Sequence, residues 1–184
     1  MTYYHCSPVS GIKCLEPKIP KLFDKPARVY MATLLPMALM YGAQNYEYTY
    51  GYTKEKKLIF EEYFPDELAV LYKGKSASLY VCQPESVEIT RIPNEAVSDR
   101  PVPVLQEIQI PDVYEALLEQ ERAGNLIVRR HHELPAKMLD WIRKTETEII
   151  LEKDILHDQS AMADYYRTHY PDSWNDAEKE QALK

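Results

Sequence analysis

Apolar and polar residues alternate in short runs over the first two thirds of the chain, and turn residues separate the runs. Segments rich in β-branched and aromatic residues, bounded by Pro, Gly, Asn, Asp or Lys, are typical of short β-strands. The predicted strands cover residues 2–6, 28–32, 46–51, 57–63, 77–82, 87–91 and 102–110. This part of the chain is therefore expected to form a sheet.

The hydrophobic period changes to that of a helix in the last third. Residues 112–124 place Val113, Leu117 and Leu118 on one face and end at Gly124. Residues 134–150 and 154–170 are predicted to continue as amphipathic helices, and 172–184 as a frayed helix or tail. One earlier helix is predicted in the apolar segment LLPMALMYGA (34–43), which has a proline near its first turn.

Strands first and helices last are typical of an α+β fold. The length of 184 residues falls within the range of one ordinary domain, and no Gly/Ser linker divides the chain. We predict a single domain over residues 1–184, in which a mixed core (1–111) carries a helical C-terminal extension (112–184) packed on the sheet.

Composition narrows the class of protein. The formal charge of −7 argues against a nucleic-acid binder held by its electrostatic field. Cys6, Cys14 and Cys82 are an odd number without metal-ligand spacing, which predicts free thiols, a reducing compartment and no metal site. The first residues lack the pattern of a secretory signal, and the uncharged run 29–46 is short of the roughly 20 apolar residues that span a bilayer. A cytoplasmic protein that does not enter the membrane is expected.

Three short features near the N-terminus stand in a characteristic order. The first predicted strand ends in YHCS (4–7), which contains His5. The second contains VYMA (29–32), and Tyr41 follows Tyr30 by eleven residues. This order resembles the NAD site of the His-Tyr-Glu branch of the ADP-ribosyltransferase fold, which includes poly-ADP-ribose polymerase catalytic domains and small bacterial ADP-ribosyltransferases.

The resemblance implies a split antiparallel sheet with helices, and NAD as the substrate. It implies that the rings of Tyr30 and Tyr41 sandwich the nicotinamide, and that main-chain groups beside His5, at Cys6 and Ser7, bind the carboxamide. His5 would hold a ribose hydroxyl. The reaction implied is transfer of ADP-ribose, a glycosyl transfer, to an acceptor that the sequence does not identify: a protein, a nucleic acid, a small molecule or water.

The family also has a carboxylate at the start of a late strand, and it stabilises the ribosyl cation formed in the transition state. The segment PNEAVS (93–98) matches that context best, so Glu95 is predicted as the catalytic carboxylate. Glu85, Glu88 and Glu107 are alternatives, because a register error of one residue turns a strand side chain to the other face.

Other functions stay open. Cys6 stands where the family has glycine, which allows a catalytically inactive interaction module of the same fold, with the acidic helices as its docking surface. Phosphotransfer from RNA would require more arginines than Arg28, Arg91 and Arg100 in the front half of the chain. The basic segment RRHH (129–132) is predicted to be a surface turn rather than a phosphate site.

Overall fold

A computed structural model of the chain describes residues 1–19, 26–43, 45 and 49–183, and it confirms a mixed α+β protein with a large antiparallel sheet. The strands are β1 (Tyr3–Ser7), β2 (Cys14–Leu15), β3 (Val29–Ala32), β4 (Tyr50–Tyr52), β5 (Leu58–Glu61), β6 (Ala77–Cys82), β7 (Glu88–Ile89), β8 (Glu95–Ser98), β9 (Val102–Ile110) and β10 (Ile127–Arg129). The helices are α1 (Leu35–Met40), α2 (Glu67–Tyr72), α3 (Val113–Arg122), α4 (Ala136–Glu152), α5 (Ala161–His169) and α6 (Pro171–Ala182), with short 3-10 turns at His131–Glu133 and Ile155–His157.

The large sheet has the order β2-β9-β6-β1-β3-β8-β7, and a three-stranded sheet has the order β10-β5-β4. Strand β1 is central and pairs differently with its two neighbours. With β6 it pairs along its whole length, from Tyr3↔Cys82 to Ser7↔Ser78. With β3, across the described strands, the register pair is Tyr4↔Ala32. The ladder on the β3 side of β1 is therefore much shorter than the ladder on the β6 side.

The strands with the clearest apolar pattern have the bounds predicted from sequence, namely β6 and β9. Strands β2, β8 and β10 and helix α2 were not predicted, because each is short and lies beside turn residues. Of the predicted strand 46–51, residues 46–48 lie outside the described residues, and β4 begins at Tyr50.

The C-terminal helices also differ in part from the prediction. Ser160 divides the predicted helix 154–170, because its hydroxyl accepts a hydrogen bond from the Ala163 amide at 3.5 Å and so begins α5. The segment expected to be a frayed helix or tail forms α6, whose Trp174 is buried. An apolar anchor of this kind explains why the helix is ordered.

The chain divides into two compact units. Unit 1 comprises Met1–Ile59 and Leu68–Ile127, and unit 2 comprises Phe60–Glu67 and Val128–Lys184. This division differs from the boundary at 111/112 drawn on the sequence, because α3 belongs to unit 1. Whether the two units act as the predicted single domain stays a prediction.

Each unit has an apolar cluster of its own. In unit 1, the buried side chains of one cluster come from β2, β3, β6 and β9: Leu15, Val29, Met31, Tyr80, Cys82 and Val102. In unit 2, the buried cluster joins the segment after β5 to α4, α5 and α6, and it includes Phe64, Leu134, Ile142, Ile150, Ile155, Ala163, Tyr166, Tyr170, Trp174 and Ala177. The α4 to α6 helices therefore bury their apolar faces within unit 2.

Candidate functional site

His5 follows Tyr4, the residue of β1 that pairs with Ala32 of β3. Its ring nitrogen Nδ1 is 2.9 Å from the main-chain oxygen of Tyr30. A carbonyl oxygen can only accept, so Nδ1 must carry the hydrogen, and Nε2 keeps a lone pair. Burial lowers the pKa of His5, the hydrogen bond to Tyr30 opposes that shift, and the charge of Lys18 adds to it. At neutral pH the imidazole is therefore neutral and can accept a hydrogen bond from a hydroxyl group.

The β3–β8 ladder brings Tyr30 and Glu95 to one face of the sheet. Tyr30 pairs with Val97, and Ala32 pairs with Glu95. Directly opposed residues share a face, and so do residues two apart on one strand. The structure therefore joins the His5 ring to the main chain of Tyr30 and places the Tyr30 side chain on the face that carries Glu95. Tyr4, which opposes Ala32, lies on that face too, so the side chain of the adjacent His5 leaves the sheet on the opposite face.

The two residues after His5 are fixed in different ways. Cys6 is 3% exposed, and a Cβ added at Gly42 would lie 2.9 Å from its Sγ, so the thiol packs against the turn that follows α1. Burial raises the pKa of this thiol to about 12, which keeps it protonated. The Ser7 hydroxyl accepts a hydrogen bond from the Val9 amide at 3.2 Å. The predicted carboxamide contacts of Cys6 and Ser7 would have to come from their main chain.

Tyr41 is the C-terminal capping residue of α1, and it meets a tyrosine that the sequence analysis did not select. Its hydroxyl is 2.7 Å from the hydroxyl of Tyr50, and the two rings meet edge to face with centroids 6.3 Å apart. Burial raises the pKa of Tyr50, the bond with Tyr41 opposes that shift, and the negative charge of Glu95 adds to it. Tyr50 is therefore bonded to Tyr41, and its pKa responds to the charge of Glu95.

Tyr52, two residues further along β4, contacts the turn that precedes Glu95. Its hydroxyl donates to the main-chain oxygen of Pro93 at 2.5 Å and accepts from Asn94 Nδ2 at 3.4 Å. Burial raises the pKa of Tyr52, and the nearby Glu95 charge raises it further. The signal that could have identified both tyrosines was the tyrosine-rich stretch YTYGY (48–52), which was predicted only as a strand.

Glu95 is the first residue of β8, which is the position that the resemblance implies for the carboxylate. The Thr90 hydroxyl donates to Glu95 Oε1 at 2.8 Å. The preceding residue, Asn94, has a left-handed φ of 63°, and its main-chain oxygen accepts from the Thr33 amide at 2.9 Å. The turn before Glu95 is thus tied to the end of β3, where the Tyr30 strand leads into α1.

The alternative carboxylates have other contacts. Glu85 and Glu88 are mostly exposed and form ion pairs with Arg100 at 4.0 Å and with Arg28 at 3.8 Å.

Glu107 Oε1 accepts from the Gly11 amide at 2.9 Å, from Ser78 Oγ at 2.8 Å and from Gln109 Nε2 at 2.8 Å. The bond from the Gly11 amide and then that from Ser78 hold the pKa of Glu107 below its usual value. Its carboxylate therefore fastens the loop after β1 to strands β6 and β9, which is a structural role.

Two pockets have linings that do not include these site residues. One, of about 350 Å³, lies wholly within unit 2 and is lined by side chains that include Tyr63, His131, Arg143 and His169. The other, of about 200 Å³, lies beside Glu88 and Val97 in unit 1. Neither lining includes His5, Tyr30, Tyr41 or Glu95. The candidate site is therefore defined by the contacts between its side chains. Residues 44 and 46–48, which lie near Tyr41 and Tyr50 in sequence, are outside the described ranges.

The basic segment 129–132 forms the end of β10 and the 3-10 turn that follows it. Arg129 forms an ion pair with Glu61, and Arg130 lies 3.8 Å from Glu62. These acidic partners neutralise the two arginines, so the segment offers little net positive charge to a phosphate.

Two further properties were searched for in the described part of the chain. No group of three or more His, Cys, Asp or Glu side chains there could hold a metal ion. Over the same residues, no helix combines the length and the apolar character that crossing a membrane requires.

Comparisons with known proteins add no family to this description. A scan of the sequence against protein-family models finds no match, and a search of curated proteins finds none either. The fold defines a mixed α+β protein, and its function must be argued from the arrangement of its residues.

Proposed function

We propose that unit 1 binds NAD and that the protein transfers ADP-ribose from NAD to an acceptor. The observation that carries the proposal is the position of Glu95. It begins a strand that pairs with the Tyr30 strand, it shares a face with Tyr30, and its charge reaches Tyr50, which is bonded to Tyr41. Tyr30, Glu95, Tyr50 and Tyr41 are thus connected through β3, β8 and β4, and His5 is joined to them through the main chain of Tyr30.

The sheet supports the same proposal at the level of the fold. The described ladder between β1 and β3 is limited to the pair Tyr4↔Ala32, and His5 bonds to the Tyr30 oxygen beyond it. This short ladder, between the strands that carry His5 and Tyr30, supports the split sheet that the resemblance implies. The order of a first strand with His5, a later strand with Tyr30 and a following helix with Tyr41 agrees with the family pattern.

In the proposed reaction the bond between C1′ of the nicotinamide ribose and the nicotinamide nitrogen breaks. The electron pair leaves with nicotinamide, which becomes neutral, and the ribosyl carbon develops positive charge. The Glu95 carboxylate stabilises that charge more strongly in the transition state than in the ground state. An acceptor oxygen or nitrogen then adds to C1′ and loses its proton.

His5 and the tyrosines would bind and orient NAD. The neutral imidazole presents Nε2 as an acceptor, which suits a ribose hydroxyl. The aromatic faces of Tyr30 and Tyr41 suit the flat nicotinamide ring. The Cys6 thiol, which lies on the same face of the sheet as Tyr30 and Glu95, is buried against the turn at Gly42.

Release of nicotinamide from NAD tests the proposal without knowledge of the acceptor, because water can take that place. We expect the wild-type protein to release nicotinamide and Glu95→Gln to lower kcat on the order of a hundredfold or more. Glu88→Gln is the matched control, because Glu88 is an exposed carboxylate paired with Arg28 on the neighbouring strand β7. It should keep the wild-type rate.

Two results would contradict this account. If Glu88→Gln lost activity and Glu95→Gln kept it, the catalytic carboxylate would not be Glu95. Absence of nicotinamide release by the wild-type protein, with NAD still bound, would favour the catalytically inactive interaction module.

A further inference from the structure

The turn between β7 and β8 contains a hydroxyl group that is oriented toward Glu95. The Thr90 Oγ1 accepts a hydrogen bond from the Ile92 amide at 3.0 Å and donates to Glu95 Oε1 at 2.8 Å. A second acceptor, the Ile92 main-chain oxygen, lies further away at 3.4 Å. A hydroxyl has a single hydrogen, and the shorter, charge-assisted bond to the carboxylate is the stronger of the two.

The contact fixes one carboxylate oxygen and leaves the other available. With Oε1 held by Thr90, the side chain of Glu95 loses rotamer freedom, and Oε2 can point toward a ligand. The main chain contributes as well, because the Glu95 amide donates to the Ile92 oxygen at 3.2 Å. A carboxylate that is oriented before the substrate arrives stabilises developing positive charge without reorganising during the reaction.

We propose that Thr90 is a positioning residue for Glu95, with its hydroxyl holding the carboxylate in the orientation used in catalysis. This inference rests on the proposed function and adds a residue to it. Thr90 does not touch the reacting atoms; it acts through Glu95. A threonine in this turn could also serve only the stability of the turn, and the two roles predict different kinetics.

The chain offers a matched control for the stability role. Thr33 also donates its hydroxyl to this turn, to Asn94 Oδ1 at 3.1 Å, but it does not bond to Glu95. Thr33→Val therefore removes a threonine hydroxyl that bonds to the same turn and leaves the carboxylate contact intact.

The experiment measures nicotinamide release and unfolding by urea for Thr90→Val, Thr90→Ser and Thr33→Val. We expect Thr90→Val to lower kcat about 10- to 100-fold with KM for NAD changed less than about threefold, because the lost bond acts on the transition state. Thr90→Ser should restore kcat to within about threefold of wild type, since it keeps the donor. Thr33→Val should keep the wild-type kcat. Should Thr90→Val fail to fold, Thr90→Ala is measured against the same control.

The outcomes separate this inference from the proposed function. An active wild-type protein whose Thr90→Val variant keeps its kcat would overturn the inference and leave the proposed function standing. A fall in kcat in Thr33→Val equal to that in Thr90→Val would also overturn it, because the effect would then belong to the turn. A wild-type protein that releases no nicotinamide would overturn both.

Discussion

Tyrosine side chains serve different purposes in the two compact units. In unit 1, Tyr41 and Tyr50 meet hydroxyl to hydroxyl at 2.7 Å, and Tyr52 donates its hydroxyl to the turn before Glu95. In unit 2, Tyr166 and Tyr170 pack as rings, with centroids 5.7 Å apart, inside a core in which Tyr166 is 1% exposed. Ring packing stabilises unit 2, whereas these tyrosines of unit 1 form hydroxyl hydrogen bonds, one of them to the turn before Glu95.

The difference teaches that tyrosine content by itself does not locate a site. The chain has 15 tyrosines, and those in unit 2 are explained by the apolar surface they bury. The informative feature in unit 1 is where the hydroxyls lie. Exposed tyrosine hydroxyls that bond to one another and to the turn before Glu95 form a polar arrangement that packing alone does not require.

The histidines give a second contrast. Burial lowers the pKa of both His5 and His169. The ring of His5 bonds to the main-chain oxygen of Tyr30 on the neighbouring strand β3, whereas His169 stacks on Phe64 with centroids 4.3 Å apart. We expect changes at His5 to affect NAD binding and changes at His169 to affect only stability.

The largest effect on stability should come from the core of unit 2. Ile150 is fully buried, and Ile150→Ala removes methyl groups and leaves a cavity, so the free energy of unfolding should fall by about 2–5 kcal/mol. NAD affinity should stay at the wild-type value under conditions in which the variant is folded. Urea unfolding and NAD titration of the same sample check both statements. A large loss of affinity in the folded variant would contradict the assignment of the site to unit 1.

The next effect concerns the packing of Cys6 against the turn after α1. A Cβ at position 42 would lie 2.9 Å from Cys6 Sγ and 3.1 Å from Ala77 Cβ, so Gly42→Ala should lower the free energy of unfolding by about 1–3 kcal/mol. Adding Cys6→Ala should recover part of the loss. The control is Gly51→Ala, where the nearest atom would be Ile59 Cγ2 at 3.9 Å. Equal stability losses at positions 42 and 51 in urea unfolding would contradict the buried position of the thiol.

A smaller effect on stability is expected from the N-terminal caps of α3 in unit 1 and α5 in unit 2, and it should differ between them. Asp112 Oδ1 accepts from the Tyr114 amide at 2.9 Å, and Oδ2 accepts from the Gly74 amide at 2.9 Å. Asp112→Ala should therefore cost about 1 kcal/mol, as is usual for loss of an N-cap. Ser160→Ala should cost less, because its capping bond in unit 2 is long at 3.5 Å. Thermal unfolding of both variants measures the difference, and a greater loss from Ser160→Ala would contradict it.

The smallest effect we expect is a pH dependence shared by the two units. Both His5 and His169 have a pKa lowered from the ordinary value of 6.5, so the unfolded chain binds more protons than the folded chain just below that pH. The stabilisation is present above pH 6.5 and is lost as the pH falls through the folded pKa values. The melting temperature should therefore be lower at pH 5 than at pH 7. His169→Asn should reduce that change without altering NAD affinity, and an unchanged slope in this variant would contradict the account.

The pattern of apolar residues predicted the strands whose own sequence favours a strand strongly. The continuous apolar run of β6 and the long β-rich run of β9 were enough to give their bounds. The apolar pattern did not predict strand β8, which only the resemblance implied, because EAVS (95–98) is short and follows Pro93 and Asn94, which are turn residues. The division into units could not be predicted, because Phe64 joins the core of α5 and α6 through contacts that are distant in sequence.

The candidate site shows the same limit. His5, Tyr30, Tyr41 and Glu95 were selected from sequence through a resemblance that fixes residue types and order. Tyr52 was missed, since its bond to Pro93 spans 41 positions and leaves no periodic trace in the sequence. The contact of Thr90 with Glu95 spans five positions, but it depends on a turn that the sequence analysis did not predict.

The most direct test of the central claim is calorimetric titration with NAD of the wild-type protein and of two matched histidine variants, His5→Ala and His169→Ala. The account predicts a dissociation constant in the micromolar to millimolar range, roughly −8 to −4 kcal/mol. It predicts that this binding is lost in folded His5→Ala and kept in folded His169→Ala. No heat with millimolar NAD, or binding lost only in His169→Ala, would contradict an NAD site in unit 1.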